Sequence, residues 1–276
     1  HIVMGEITQP LLDLMGVPHR VLARGSEEAD LAWARAETLR SSQPVALLLP
    51  PRVLEADTPE PAAPAPITPQ APVTTAPPSA LPSSLSRFEA LRAAVGALGS
   101  EPVVHANGYV CRESFAVRDR PENFYMIGSM GLASSIALGL ALARPERRTV
   151  VFDGDGNLLM NLGILPMVGG GPAIGRGRPT NFVHVVFDNG VYGSTGGQLS
   201  PSRGVGLAAV AAACGYARAE SVDSTAGVES ALRGALEADG PSFILVRVNA
   251  EERPAPRIPY APEEIRDRFR RALGSP

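Results

Sequence analysis

A doubly wound parallel α/β sheet, with a partial α/β unit ahead of it, is the fold class that the sequence predicts. From about residue 87 onward, apolar strand runs alternate with helical patterns, the order that builds a parallel sheet covered on both faces. Two of those runs, Arg148 to Asp153 and Phe182 to Phe187, are dominated by Val and Phe, as strands buried on both faces are. Between Pro50 and Pro82, eleven of thirty-three residues are proline. Such a stretch favours an extended, partly polyproline II linker over a packed core. The expected organisation is therefore a unit over 1–50, a linker over 51–86 and a larger domain over 87–276.

Taken in order, Ile7 to Met15 has helical apolar spacing and stops at Gly16, His19 to Leu22 is a short strand, and Glu27 to Ser41 is helical. Pro44 to Leu49 reads as a fully apolar, buried strand. Four such elements make half of a doubly wound domain, so either another polypeptide completes it or the chain was cut. In the second part, helices are expected at Phe88 to Leu98, Gly131 to Ala143, near Asn157 to Val168, and at Gly204 to Cys214, Ala226 to Ala238 and Pro262 to Leu273. Strands are expected at Val103 to Ala106, Arg148 to Asp153, Phe182 to Phe187 and Ser242 to Val248.

Composition narrows the chemistry. The chain of 276 residues is 45% hydrophobic, enough for a packed core without metal or disulfide support. Lys+Arg 25 stand against Asp+Glu 28, which leaves no basic field for a nucleic acid. Every one of those cations is arginine. Without lysine there is neither a Walker-type phosphate loop nor a lysine Schiff base. Cys111 and Cys214 are too few for a disulfide framework and lack zinc-ligand spacing. They read as small hydrophobes in a reducing compartment. No apolar run is long enough to span a membrane and no signal core is recognisable. The expectation is a soluble, cytoplasmic protein.

The most informative stretch is Val150-Val-Phe-Asp-Gly154-Asp155-Gly156-Asn157, a buried strand ending in two glycines that flank a carboxylate. Ligands of open α/β sheets gather beyond the carboxyl ends of strands. Glycines there let backbone amides approach an anion, and Asp155 suits a hard divalent cation. A tight turn is the plain alternative. A Rossmann fingerprint fails, because the third glycine position holds Leu159. Thirty-four residues beyond Asp155, the strand Phe182 to Phe187 ends in Asp188-Asn189-Gly190-Val191-Tyr192-Gly193. Two adjacent strand ends can then offer a carboxylate, an amide oxygen and a main-chain carbonyl to one Mg²⁺, which keeps its other positions for phosphate and water.

Gly154-Asp155-Gly156 followed by Asn189 resembles the metal motif in the diphosphate-binding domain of thiamine diphosphate-dependent enzymes. The resemblance implies that Asp155, Asn189 and the main-chain oxygen of Val191 bind Mg²⁺, with Gly154, Gly156 and Asn157 beside the cofactor. The interval is wider than usual in that family, and Gly169 to Gly175 reads as a loop insertion. Ile127-Gly128-Ser129-Met130-Gly131 resembles the element that receives the aminopyrimidine, which implies a carbonyl acceptor at Gly128, a wedge at Met130 and Ser129 close by. The strings Asn123 to Gly131, Asn157 to Gly163 and Val191 to Gln198 are similar to the phosphonopyruvate and sulfopyruvate decarboxylase family over Phe88 to Leu273. His1 to Thr8 and Pro44 to Leu49 resemble the end of its pyrimidine-binding domain. At Asn107-Gly108-Tyr109 the sequence departs from the family's Thr-Gly pattern, and diphosphate contacts are assigned there by position.

This resemblance implies thiamine diphosphate and Mg²⁺ as cofactors and decarboxylation of an anionic 2-oxo acid, 3-phosphonopyruvate first and sulfopyruvate or an acetolactate synthase-like carboligation as alternatives. It also implies a complementary chain that carries the pyrimidine-binding domain and its activating glutamate, in a dimer or tetramer of heterodimers. A non-catalytic scaffold subunit is the reading from another class. Ser194 and Thr195, just past the metal turn, are either substrate contacts or helix caps. His184 alternates inside an apolar strand and reads as a core residue, while His105 fits function and structure equally. Arg112 is the candidate for an anionic substrate, ahead of the run Arg266 to Arg271 on a solvated helix face.

Overall fold

The computed structural model describes residues 2–50, 53, 83–171, 177–251 and 253–274. They form two compact units, one on each side of the proline-rich stretch. Apart from Val53 and 83–86, the expected linker lies outside the described residues, as do 172–175 of the expected loop insertion.

The first unit runs α1 (Ile2–Leu14), β1 (His19–Val21), α2 (Glu27–Ser41) and β2 (Ala46–Leu48). The two strands pair in parallel, with Val21 opposite Leu48. Gly16 ends α1 at a φ of +66°, a backbone state that glycine adopts without strain. Asp30 is buried and accepts from Ser26 Oγ at 2.6 Å and from Arg20 Nη1 at 3.1 Å. Among the described residues of this unit, Leu22 is the one large apolar side chain that is buried. Contrary to the expected full burial, β2 is half-buried along its length, because among the described residues β1 is the strand that pairs with it.

The second unit opens with α3 (Arg87–Ala97), started by a capping box in which Ser86 and Glu89 satisfy each other's backbone amides. It continues through β3 (Val103–His105), α4 (Tyr109–Val117), β4 (Asn123–Tyr125), α5 (Ala133–Ala143) and β5 (Thr149–Gly154). Two short helices follow, α6 (Asp155–Met160) and α7 (Ile164–Gly169), where the sequence pattern suggests one. The break falls at Asn161, whose side chain turns away to donate to the carbonyl of Gly131 at 3.1 Å. Then come β6 (Phe182–Asp188), a small hairpin of β7 (Val191–Tyr192) and β8 (Gln198–Leu199), and α8 (Leu207–Ala213). A 3-10 turn over Pro201–Gly204 precedes α8, so that helix starts later than the apolar pattern indicates. The unit closes with β9 (Arg218–Val222), α9 (Thr225–Glu237), β10 (Ser242–Arg247) and α10 (Pro262–Ala272).

Six of these strands form one parallel sheet in the order β4-β3-β5-β6-β10-β9. Side chains alternate between its faces as the two-residue period of a strand requires. Val150, Val183, Val185 and Ile244 pack with α3 and α9 on one face. Val151, Val186, Phe243 and Leu245 pack with α5, α7 and α8 on the other. From β3 the chain steps out to edge strand β4 and then returns across β3 to β5. That reversal opens a crevice at the carboxyl ends of β3 and β5, where ligands of such sheets bind.

Candidate cofactor site

Three strand ends meet at this crevice. Beyond β3, Asn107 and Gly108 lead into α4, with Gly108 at a φ of +96°. Beyond β5, Gly154 passes straight into α6, and beyond β6 Asp188 and Asn189 turn through Gly190 into β7. The cleft between them is lined by Asn107, Gly108, Tyr109, Gly154, Asp155, Gly156 and Asn157, and across from these by Met130, Asn189, Val191 and Ser194. Residues up to 107 positions apart in sequence, Arg87 to Ser194, are thus gathered in one place.

Three residues singled out from the sequence lie elsewhere. Gly128 and Ser129 line a separate, largely apolar groove with Phe124 and Ile136, while Met130 lines the cleft. Thr195 does not line the cleft: its hydroxyl lies 3.1 Å from the carbonyl oxygen of Tyr192 and 3.0 Å from Gln198 Oε1 within the hairpin turn, and donates to one of them at a time. The alternative reading of Ser194 and Thr195 as helix caps is also corrected, since they sit between two strands.

Oxygen atoms dominate the deep end. Asp155 is buried, and its Oδ2 accepts from Ser202 Oγ at 2.9 Å, while the same hydroxyl lies 2.8 Å from Asp188 Oδ1. One hydroxyl proton serves one carboxylate at a time, so two buried acids share a single donor. Burial raises the Asp155 carboxyl above its ordinary value, and the Asp188 charge adds to the rise against hydrogen bonds from Ser200 and Ser202. Arg247 Nη1 donates to Asp188 Oδ2 at 2.5 Å and offsets part of that negative charge. One terminal atom of the Asn189 amide lies 3.3 Å from Asp155 Oδ1 and 2.9 Å from the carbonyl oxygen of Val191. Amide orientation is a matter of assignment. With the nitrogen there, Asn189 donates to both oxygens; with the oxygen there, three acceptors converge. An all-oxygen set of this kind suits a hard divalent cation and not a thiophilic one. Among the described residues no cluster of three His, Cys, Asp or Glu side chains competes with it.

A second layer of hydrogen bonds supports the rim. Asn157 Oδ1 accepts from the Gly131 amide at 2.5 Å and its Nδ2 donates to Asp153 Oδ1 at 2.6 Å. Asp153 Oδ2 lies 3.0 Å from His184 Nε2, fully inside the sheet. His184 is thus a core residue joined to the loop beside Met130, as its place in an apolar strand implies. His105 is buried too, with Nε2 2.8 Å from Ser114 Oγ and Nδ1 without a partner among the described residues. Burial drops its pKa to about 3, so it stays neutral. At Gly156 a Cβ would come within 2.3 Å of the Tyr192 ring, which makes glycine the residue that lets the hairpin close on α6.

The arginines are placed differently from the sequence expectation. Arg112 lies 5.7 Å from the Tyr109 ring centroid and does not line the cleft. The run on α10 is not simply solvated, because Arg268 donates to Asp119 Oδ2 at 2.7 Å and stacks on Tyr260. The guanidinium that does line the cleft is Arg87. Neither Arg87 nor Ser202 carries a local sequence signal of this role; the capping box beside Arg87 marks only a helix start.

Comparison with known proteins gives this arrangement a class. Residues 108–246 match the family described as "Thiamine pyrophosphate enzyme, C-terminal TPP binding domain". The phosphonopyruvate decarboxylase of Streptomyces viridochromogenes is 36% identical over all of this chain and 68% of its own length. The sulfopyruvate decarboxylase subunit beta of Methanothermobacter thermautotrophicus is 40% identical over 67% of this chain and 94% of its own. A structure described as a thiamin diphosphate-dependent enzyme from Mycobacterium smegmatis shares the fold at a TM-score of 0.52 and 23% identity, over 71% of this chain and 37% of that one. The chain belongs to the family of thiamine pyrophosphate-dependent decarboxylases that includes these phosphonopyruvate and sulfopyruvate enzymes.

Proposed function

We propose that the cleft at the ends of β3, β5 and β6 binds the diphosphate of thiamine diphosphate through Mg²⁺, with Asp155, Asn189 and the Val191 carbonyl as the protein ligands. The observation that carries this reading is the convergence of Asp155 Oδ1 and the Val191 carbonyl oxygen on the Asn189 amide terminus, at 3.3 and 2.9 Å. Asn107, Gly108 and Tyr109, at the uncapped start of α4, present main-chain N–H groups to the phosphates. Met130 faces the same cleft and supports the bent cofactor, while Gly128 and Ser129 border it from the adjacent groove and Ser194 stands at the mouth near the reacting centre. Gly154, Gly156 and Asn157 shape the turn that brings Asp155 to the metal.

When bound, thiamine diphosphate supplies the electron sink that decarboxylation of a 2-oxo acid needs. This chain's residues would hold the diphosphate and fix the metal. The substrate assigned is 3-phosphonopyruvate, split to phosphonoacetaldehyde and CO2 as a step of phosphonate biosynthesis, on the strength of a match that covers all of this chain and 68% of the Streptomyces enzyme. Sulfopyruvate is the second reading, supported by 40% identity to an archaeal beta subunit. A cytoplasmic location fits both.

The domain assignment is part of the proposal. Residues 87–276 form the diphosphate-binding domain, and 1–50 belong to a pyrimidine-binding domain completed by a complementary chain in a heteromer. Ile7, Leu11, Leu14, Met15, Leu31 and Leu39 are exposed in the first unit, which gives such a partner an apolar surface to cover. Asp155→Ala is expected to abolish Mg²⁺-dependent binding of thiamine diphosphate, followed by titration calorimetry. Unchanged affinity in that variant overturns the metal assignment. CO2 release from phosphonopyruvate and sulfopyruvate, assayed separately with and without the complementary chain, decides the substrate and the heteromer.

A further inference from the structure

We propose that Arg87 is a binding residue of the cofactor cleft, donating from Nη1 to the terminal phosphate of the diphosphate. The inference rests on the thiamine diphosphate reading of that cleft and assigns a residue to its anionic end. Arg87 is buried, yet it lines the cleft together with Asn107, Gly108 and Tyr109. Its Nε and Nη2 donate to Glu113 Oε2 at 3.1 Å and Oε1 at 2.7 Å, a bidentate fork that fixes the plane of the guanidinium. The Tyr109 ring lies 5.0 Å from Cζ and covers one face of that plane. Among the described residues, Nη1 has no hydrogen-bond partner, and two N–H groups remain available on a side chain whose rotamer is already locked. Glu113 and Tyr109 both lie on α4, so the helix whose uncapped amides open on the cleft also aims the guanidinium.

Charge gives the reason for such a group. A diphosphate carries more negative charge than one divalent cation neutralises, and the chain has no lysine to make up the difference. Arg87 is the one cationic side chain among the described residues that line the cleft. Ordering entropy has already been spent on the Glu113 pair, so an added phosphate contact needs little further immobilisation.

The test compares ligands that differ by one phosphate. The complete enzyme, freed of cofactor, and its variants are titrated with thiamine diphosphate and thiamine monophosphate in excess Mg²⁺, and binding is read calorimetrically. Arg87→Met alone strands a buried carboxylate and is expected to unfold part of the domain. The informative variant is therefore Arg87→Met with Glu113→Leu, first checked by circular dichroism for native structure. It is expected to lose about tenfold or more in diphosphate affinity, the scale of one charge-assisted hydrogen bond, with the monophosphate affinity changed less than threefold. Glu113→Gln, which keeps the guanidinium but loosens it, should show a smaller loss of the same selectivity. Equal losses for both ligands in the folded double variant overturn the proposal and leave a structural role. A raised KM for the 2-oxo acid with unchanged cofactor affinity also overturns it, since Arg87 would then meet the substrate. If the unaltered enzyme binds neither ligand, it is the thiamine diphosphate reading that fails, a result distinct from either of these.

Discussion

The two units of this chain use the same grammar of alternating strands and helices and reach different results. In the second, six parallel strands are clothed on both faces, and β5 and β6 bury almost every side chain. In the first, among the described residues, two strands pair with each other and most of the apolar side chains of α1 and α2 remain open to solvent. The difference teaches that an α/β pattern specifies elements, while the number of strands that find neighbours decides whether a core forms.

The comparison can be broken most forcefully by amide hydrogen exchange on the full chain. Amides of β5 and β6 should exchange only through global opening, and those of β1 and β2 at least about a thousandfold faster through local opening. Equal protection in the two units refutes the contrast. A complementary chain, if it covers the first unit, should slow β1 and β2 and leave β6 unchanged.

Packing at one glycine sharpens the second half of the contrast. A Cβ at Gly169, the last residue of α7, would lie 2.3 Å from the carbonyl oxygen of Cys214 and 2.8 Å from the amide nitrogen of Tyr216. Main chain cannot swing aside as a side chain does. Gly169→Ala should therefore cost about 3 kcal/mol in urea unfolding of the second unit; a loss within experimental error would mean that α7 and α8 pack loosely.

A third measurement uses pH. His105 is neutral in the folded protein, with its pKa pressed to about 3 by burial, and regains an ordinary value near 6.5 when the chain unfolds. Between those values the unfolded state binds more protons, so this histidine's contribution is fully present above pH 6.5 and is lost as pH falls toward 3. His105→Gln should reduce the fall in unfolding free energy between pH 7 and pH 5 by about 2 kcal/mol. An unaltered slope would show that another group governs the acid limb.

The smallest effect belongs to the first unit and has the opposite sign. Gly5 lies inside α1 with no atom within 4 Å of a Cβ placed there. Gly5→Ala should raise stability by about 0.5–1 kcal/mol through helix propensity alone, read as a small upward shift in thermal melting of the helical signal. A decrease would reveal a neighbour over α1 that the first unit by itself lacks.

The legibility of the molecule in its sequence follows the same division of local and distant causes. Strands β5 and β6 announce themselves because two-sided burial makes them continuously apolar, and α2 matches its expected bounds from Glu27 to Ser41. Helix α4 does not, since Arg112, Glu113 and Ser114 interrupt its apolar pattern, and β4 has only three residues. Edge strand β9, largely exposed, lacks the buried run that marks its neighbours. At the site, Asp155 and Asn189 could be recognised from short motifs at strand ends. Ser202, forty-seven residues beyond Asp155, and Arg87, paired across twenty-six residues to Glu113, depend on tertiary packing that no local pattern encodes.

One of the three proposed metal ligands, beside Asp155 and Asn189, is the Val191 carbonyl, and a carbonyl does not change with the identity of its side chain. An alanine scan of the cleft would therefore register two of these positions and pass over the third. Replacing the peptide after Val191 with an ester, which weakens that acceptor while keeping the residue, is the kind of backbone edit that would make it visible.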